Sequence, residues 1–362
     1  MEPESPFVEL SAFIAGLPKV ELHVHHVGSA SPRAVAALAA RHEGSTPVPA
    51  DPELLADYFT FTDFRHFITV YLSVVDLIRD PDDVRTLTYE VGRDLAVQNV
   101  RYAELTVTPY SSVVRGIAAP DFCAAIEDAR RAVEAEHGVA LRWCFDIPGE
   151  AGLDAADVTL AVALEQQPDG LVSFGLGGPE FGVPRQAFAS HFARARAAGL
   201  HCVPHAGESS GPESVRAALD HLGAERIGHG IAAARDPTLM RRLAAEGIPL
   251  EVCPTSNVRT RSVASLAEHP LPTLVGAGVR VSINSDDPPM FSTTLNREYA
   301  IAADLLGLDR GAVAELARAA VGQSFADESR RAATLTEIDR YVATSAADRA
   351  RGPRGAGLDT GS

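Results

Sequence analysis

The feature that most constrains this chain is an alternation. Eight short apolar runs rich in β-branched and aromatic residues are separated by Ala/Leu/Arg/Glu-rich stretches of helical period. The runs are VELHVH (20–25), VRYAELTV (100–107), LRWCFDI (141–147), LVSFGL (171–176), HCVPHA (201–206), RIGHG (226–230), IPLEVC (248–253) and RVSINSD (280–286). Nearly continuous apolar runs suit strands covered on both faces, and the helical stretches between them are long enough to return the chain parallel to itself. Helices over 121–137 and 185–198 stop at Gly138 and Gly199, where a left-handed residue ends the last turn. Eight such units predict an α/β fold, a (β/α)8 TIM barrel, rather than an open sheet. One interval is too long for a simple crossover. Residues 26–99 include the aromatic segment YFTFTDFRHFITVYL (58–72), which predicts a helical insertion after strand 1, at about residues 30–98, over the barrel mouth. A single catalytic domain is expected over residues 1–345, followed by a Gly/Arg/Pro/Asp-rich tail, 346–362, that reads as disordered.

The ionisable residues gather at the C-terminal ends of these strands, the rim where barrel enzymes assemble their sites. His23 and His25 close strand 1, His205 and Glu208 follow strand 5, His229 ends strand 6, and Asp286 with Asp287 ends strand 8. His-x-His in a strand places both imidazoles on one face, which by itself is compatible with a polar patch. With a third histidine and an aspartate from other strands of the same barrel, the set matches a catalytic zinc that keeps room for a bound water. Glu208 sits three residues after His205, on the loop leaving the strand. From there it can reach a substrate without ligating metal, or it can serve as a helix-start carboxylate, for which Glu213 is an equal candidate.

Composition removes several other chemistries. The formal net charge is −16 with no basic run, and aromatic content is 6%, so neither a phosphate backbone nor stacked bases find a surface and no nucleic-acid partner is expected. Lys19 is the only lysine, which leaves no phosphate-loop lysine, no bridging lysine, and no Schiff base unless Lys19 forms it. Cys123, Cys144, Cys202 and Cys253 are far apart in sequence and read as small buried apolar residues. The first twenty residues lack a basic region followed by an apolar one, and no run approaches eighteen apolar residues, so a soluble, cytoplasmic protein with no membrane partner is expected. Oligomeric state leaves no signature.

Taken together, HVH (23–25), PHAGE (204–208), ERIGHG (225–230), EVCPTSN (251–257) and SINSDDPPMF (282–291) resemble the adenosine and adenine deaminase family over roughly residues 17–310. The resemblance implies hydrolytic removal of the 6-amino group of an adenosine-type nucleoside, with release of ammonia. It implies one Zn2+ per chain held by His23, His25, His205 and Asp286. By the same matching, Glu208 would give a proton to purine N1 and His229 would orient the attacking hydroxide. Asp287 would bond N7, and the backbone N–H of Gly178 would contact N3. The chemistry is consistent with that assignment, because attack at C6 builds negative charge on the ring, which a proton at N1 relieves. Two-metal amidohydrolases share the barrel and the His-x-His. They usually need a bridging lysine or a glutamate after strand 4, where this chain has glycines. A cytidine-type deaminase would show His-x-Glu with Pro-Cys-x-x-Cys, which is absent. A family member that had lost catalysis would lack a ligand or the HAGE glutamate, and all are intact.

Two departures bear on substrate. Where adenosine-specific members read HVHLDG, with an aspartate for the ribose 5′-hydroxyl, this chain reads HVHHVG and carries Val27. Where they read DLAGDE after strand 4, it reads GLGGPE, so Gly175 and Pro179 replace acids. These variants resemble the branch acting on 6-aminodeoxyfutalosine in menaquinone biosynthesis, whose 5′ extension ends in a benzoate; plain adenosine is the alternative. A benzoate calls for a cation, and Arg65, Arg259 and Arg261 are the candidates. Phe64 and Phe67 of the insertion are expected to cover the nucleoside, although ordinary helix packing would use them equally well.

Overall fold

The structure is a computed structural model that describes residues 6–61 and 64–351, with side chains described for 9–61 and 66–347. Eight strands follow one another around a single parallel sheet: β1 (Lys19–His25), β2 (Val100–Val107), β3 (Ala140–Pro148), β4 (Leu171–Gly177), β5 (His201–Ala206), β6 (Ile227–His229), β7 (Leu250–Val252) and β8 (Val281–Ile283). Residues just past β8 close the ring. His25 N–H donates to the Asp286 carbonyl (2.9 Å) and Asp286 N–H to the His23 carbonyl (3.1 Å), and Val24 bridges Asp286 in parallel. The expected barrel is therefore present.

Each predicted strand coincides with an observed one, and the last three are shorter than their apolar runs. At the ends of the β6 and β8 runs, His229 and Asp286 take left-handed conformations (φ 60° and 66°). Left-handed backbone costs a non-glycine residue about 1–2 kcal/mol, and here it turns two side chains across the barrel mouth.

Helix α1 (Pro6–Gly16) precedes β1, and four helices fill the long interval: α2 (Pro32–Arg41), α3 (Pro52–Tyr58), α4 (Phe64–Val75) and α5 (Pro81–Val97). The last of these packs tightly on the helix Ala119–His137; a Cβ at Gly92 would lie 2.6 Å from Val133. It thus serves as the barrel's first crossover helix, and α2–α4 are the true addition. At the other end, the final helix spans Glu328–Arg351, so residues 346–351 are helical and not the start of a tail. Their sequence, ADRAR after Ala346, contains good helix formers with no breaker before Gly352. Residues 352–362 lie outside the described residues.

Lys19 is spent at the bottom of the barrel, where its buried Nζ donates to the Ile14 (2.7 Å) and Leu17 (2.6 Å) carbonyls at the end of α1. It is remote from the rim and offers no amine there. The four cysteines are free and buried. Among the described residues no helix is long and apolar enough to cross a membrane.

Candidate metal and active site

His23 and His25 share one face of β1, and β5, β6 and the turn after β8 bring His205, His229 and Asp286 against them. His25 Nε2 lies 3.2 Å from His205 Nε2 and 3.1 Å from Asp286 Oδ1, while His23 Nε2 lies 3.5 Å from the same oxygen. Ring centroids of His23 stand 4.6 Å from His205 and 4.8 Å from His229. Gly228 makes that crowding possible, because a Cβ there would fall 2.8 Å from the His23 ring and 3.2 Å from that of His205. Two overlapping groups can hold a cation: His23, His205, His229 and Asp286, and His25 with Asp286 and Asp287.

The surrounding bonds fit a metal. His23 Nδ1 bonds Glu251 Oε2 (2.8 Å), leaving its buried Nε2 without a hydrogen-bond partner and aimed into the cluster. A carboxylate behind an imidazole orients a ligating histidine. Glu251 is held in turn by Arg226 (2.6 Å), which also reaches Glu104 on β2, and Ser256 donates to Asp286 Oδ2 (2.5 Å). Burial alone would lower both His23 and His25, yet the neighbouring carboxylates of Asp286 and Glu251 raise His23 to about 10, and those of Asp287 and Asp286 raise His25 to about 9. The carboxylates thus demand positive charge at this point, which protons or a divalent cation can supply.

Glu208 stands beside this cluster, its Oε2 3.7 Å from His229 Nε2. Its loop is moulded around Glu180, which accepts from the backbone N–H of Gly207 (2.7 Å), Glu208 (2.7 Å) and Ser209 (2.9 Å) and from the hydroxyls of Ser210 and Ser214. Burial raises Glu180, but these donors outweigh it and keep the carboxylate ionised. Burial first, then the charges of Asp286 and Glu180, push Glu208 up to about 8, so it holds a proton near neutrality. Helix-start duty falls to Glu213, which accepts from Gly211 N–H (3.1 Å). Burial and the neighbouring Asp286 likewise push Asp287 up to about 7. Gly178 is exposed on the rim with φ 76°, and a Cβ there would collide with Glu150.

Several side chains at the mouth escape sequence reading. Asp146, at the end of β3, projects into the space that side chains at Gly175 and Gly177 would fill: Cβ atoms there would lie 2.8 Å and 2.6 Å from its carboxylate. The acid missing from β4 is therefore supplied by the neighbouring strand, where Asp146 is the register partner of Gly175. Tyr71 of α4 faces the same carboxylates; burial, Asp287 and Asp146 hold its hydroxyl protonated. Phe67 is buried in an aromatic cluster, with ring centroids 5.2 Å from Phe61 and 5.1 Å from Phe291. The side chains of Phe64 and Arg65 lie outside the described residues. His26, the extra histidine of HVHH, turns away and bonds Thr88 of α5 (2.8 Å). Val27 lines a cleft with Tyr71, Val75, Ile78, Thr108 and Arg115, whose guanidinium pairs with Asp76 (2.7 Å). Arg259 and Arg261 are exposed, and Arg259 Nε bonds the Phe291 carbonyl (3.3 Å).

Residues 18–341 match the adenosine deaminase family. An aminodeoxyfutalosine deaminase of Streptomyces coelicolor is 64% identical over 95% of this chain and 89% of its own length. The crystal structure of an adenine deaminase from Arthrobacter aurescens superposes with a TM-score of 0.85 at 32% identity, covering 90% of this chain and 99% of that one. An amidohydrolase from Burkholderia ambifaria with bound zinc gives 0.85 at 27% identity, over 96% and 97%.

Proposed function

Because this chain belongs to the adenosine deaminase family, we propose that it hydrolyses the 6-amino group of a 5′-extended adenine nucleoside, 6-aminodeoxyfutalosine, using one zinc ion. The purine end of the site is complete. Zinc, held by His23, His25, His205 and Asp286, would lower the pKa of water so that a nucleophile is available near neutral pH. Glu208, protonated at neutrality, gives its proton to N1 as water attacks C6. Asp287 donates to N7, and Gly178 N–H meets N3. His229 orients the attacking oxygen. Collapse at C6 expels ammonia and leaves the 6-oxo purine, so one water is consumed for each ammonia released.

The observation that carries the substrate is Val27. It stands where a carboxylate would bind a 5′-hydroxyl, and it opens on a cleft that no carboxylate lines among the described residues, with Arg115 in its wall. A bare hydroxyl finds no carboxylate there, whereas a longer arm meets the apolar side chains of Val27, Val75 and Ile78. Arg115, paired with Asp76, lines this cleft and joins the arginines named from the sequence as a candidate for a terminal carboxylate. The test is kcat/KM for 6-aminodeoxyfutalosine, 5′-methylthioadenosine and adenosine on one preparation of known metal content. The first should lead, with zinc near one per chain and both metal and activity lost in His205→Ala. Adenosine equal to or better than the other two overturns the 5′ extension, and two zinc ions per chain overturn the single-metal site.

A further inference from the structure

We propose that Leu271, His269 and Asn257 form a one-way hydrogen-bond chain that fixes His229 as its Nε2–H tautomer, making it a hydrogen-bond donor to the attacking water and neither a metal ligand nor a base. The chain starts at a group whose polarity is not adjustable. The backbone N–H of Leu271 donates to His269 Nδ1 (3.1 Å), so that nitrogen must be bare. The proton of a neutral His269 then sits on Nε2, which lies 3.1 Å from Asn257 Oδ1. With its oxygen engaged, Asn257 turns its Nδ2 to His229 Nδ1, again at 3.1 Å, and that nitrogen too must be bare. The only place left for the His229 proton is Nε2. This atom faces Glu208 Oε2 and Asp286 Oδ2, both at 3.7 Å.

Nothing competes with this ordering. His269, Asn257 and His229 are 4%, 0% and 1% exposed, so water cannot substitute for any link, and burial lowers His269 to about 4, which keeps it neutral. The left-handed φ of 60° at His229 aims the ring across the barrel so that one nitrogen meets Asn257 while the other meets the rim.

Two consequences follow. Metal ligation needs a bare nitrogen directed at the ion. The only bare nitrogen of His229 is taken by Asn257, so of the two overlapping groups the cation must use His25. A base also needs a bare nitrogen towards the water; His229 offers a proton donor instead, so water deprotonation belongs to a carboxylate. His269 and Asn257 are therefore positioning residues, acting on the reaction only through His229. The catalytic part of this inference rests on the deaminase reading, while the tautomer is a property of the chain itself.

The experiment reads the tautomer directly, by 15N NMR of histidine-labelled protein, metal-free and zinc-loaded, in wild type and two nearly isosteric variants. His269→Gln preserves the polarity, since its oxygen accepts from Leu271 and its amide donates to Asn257. His269→Glu reverses it: a carboxylate accepts on both sides, turns the Asn257 oxygen to His229 and places the proton on Nδ1. Expected are Nε2–H in wild type and His269→Gln, and Nδ1–H in His269→Glu. In His269→Glu, kcat should fall roughly 100- to 1,000-fold, the usual cost of losing one preorganised donor, at near-unchanged KM and zinc content. His269→Gln should stay within about tenfold of wild type. Nδ1–H in the wild type overturns the proposal, and so does full kcat in His269→Glu. If His269→Glu does not fold, the wild-type spectrum still decides. Failure of the deaminase reading would show separately, as absence of turnover on the nucleosides with the tautomer unchanged.

Discussion

Replacing Gly28 by alanine tests whether Asp287 holds the purine. A Cβ at this position would fall 1.4 Å from Asp287 Oδ1 and 2.4 Å from its Cγ. Ordinary contact begins at 3.4 Å, so the carboxyl must retreat by about 2 Å or the turn must give. The turn is held: Ser29 N–H donates to the His25 carbonyl (2.9 Å), and the Ser29 hydroxyl bonds the same oxygen (2.5 Å). A shift of 2 Å takes a hydrogen bond out of range, and an unmade bond in a buried site costs about 1–3 kcal/mol. The expected loss in kcat/KM is therefore roughly 5- to 150-fold. Steady-state kinetics on Gly28→Ala, Asp287→Ala and the double variant measure it, with metal analysis alongside because His25 and Asp286 are neighbours. If the loss travels through Asp287, the double variant should be no worse than Asp287→Ala alone. Additive losses, or a Gly28→Ala enzyme within threefold of wild type, would refute the reasoning.

Three further outcomes are expected. Glu208→Gln should keep its metal and still bind the nucleoside in calorimetry, while kcat falls at least about 100-fold, since an amide cannot deliver a carboxylic proton; a loss below about tenfold would move the general acid elsewhere. Phe67→Ala opens the aromatic cluster it shares with Phe61 and Phe291 and should raise KM about tenfold, the worth of one aromatic contact, whereas an unchanged KM in folded protein would reduce Phe67 to helix packing. Burial, reinforced by Arg101, lowers Lys19 from 10.5 to about 7. The unfolded chain thus binds a proton that the folded chain refuses between these values, and stability should fall as pH drops from about 10 to 7 and level off below. Urea midpoints across that range should slope for wild type and less for Lys19→Met; parallel curves would exclude Lys19 as the source.

The barrel was legible because its strands are buried on both faces and so read as unbroken apolar runs, such as VRYAELTV, whose limits the structure reproduces at Val100–Val107. Overshoot came where the chain leaves the ladder for function. The run RVSINSD carries nothing that announces a left-handed Asp286, since that conformation is imposed by closure onto β1. The gathering of His23, His25, His205, His229 and Asp286 was legible because strand-end positions of a barrel share one rim whatever lies between them. Asp146, Glu180 and the His269–Asn257 pair were not, because each depends on register or on a loop folding back, as when Glu180 gathers donors from residues 207–214. The place of Asp146 opposite Gly175 was visible only once β3 and β4 were aligned.

That alignment restricts how such a site changes by mutation. The Asp146 carboxylate occupies the space beside Gly175 and Gly177, and a Cβ at Gly175 would also lie 2.9 Å from Cys144 Sγ and 3.2 Å from the Val203 carbonyl, so Gly175→Asp with Asp146 and Cys144 in place overfills the rim. Positions 146 and 175 form an epistatic pair in which the route from one arrangement to the other passes through a doubly acidic or an acid-free intermediate. Moving the acid from β3 to β4 therefore asks for Asp146→Gly and a smaller side chain at Cys144 together with Gly175→Asp, and a designer must make these changes as one set.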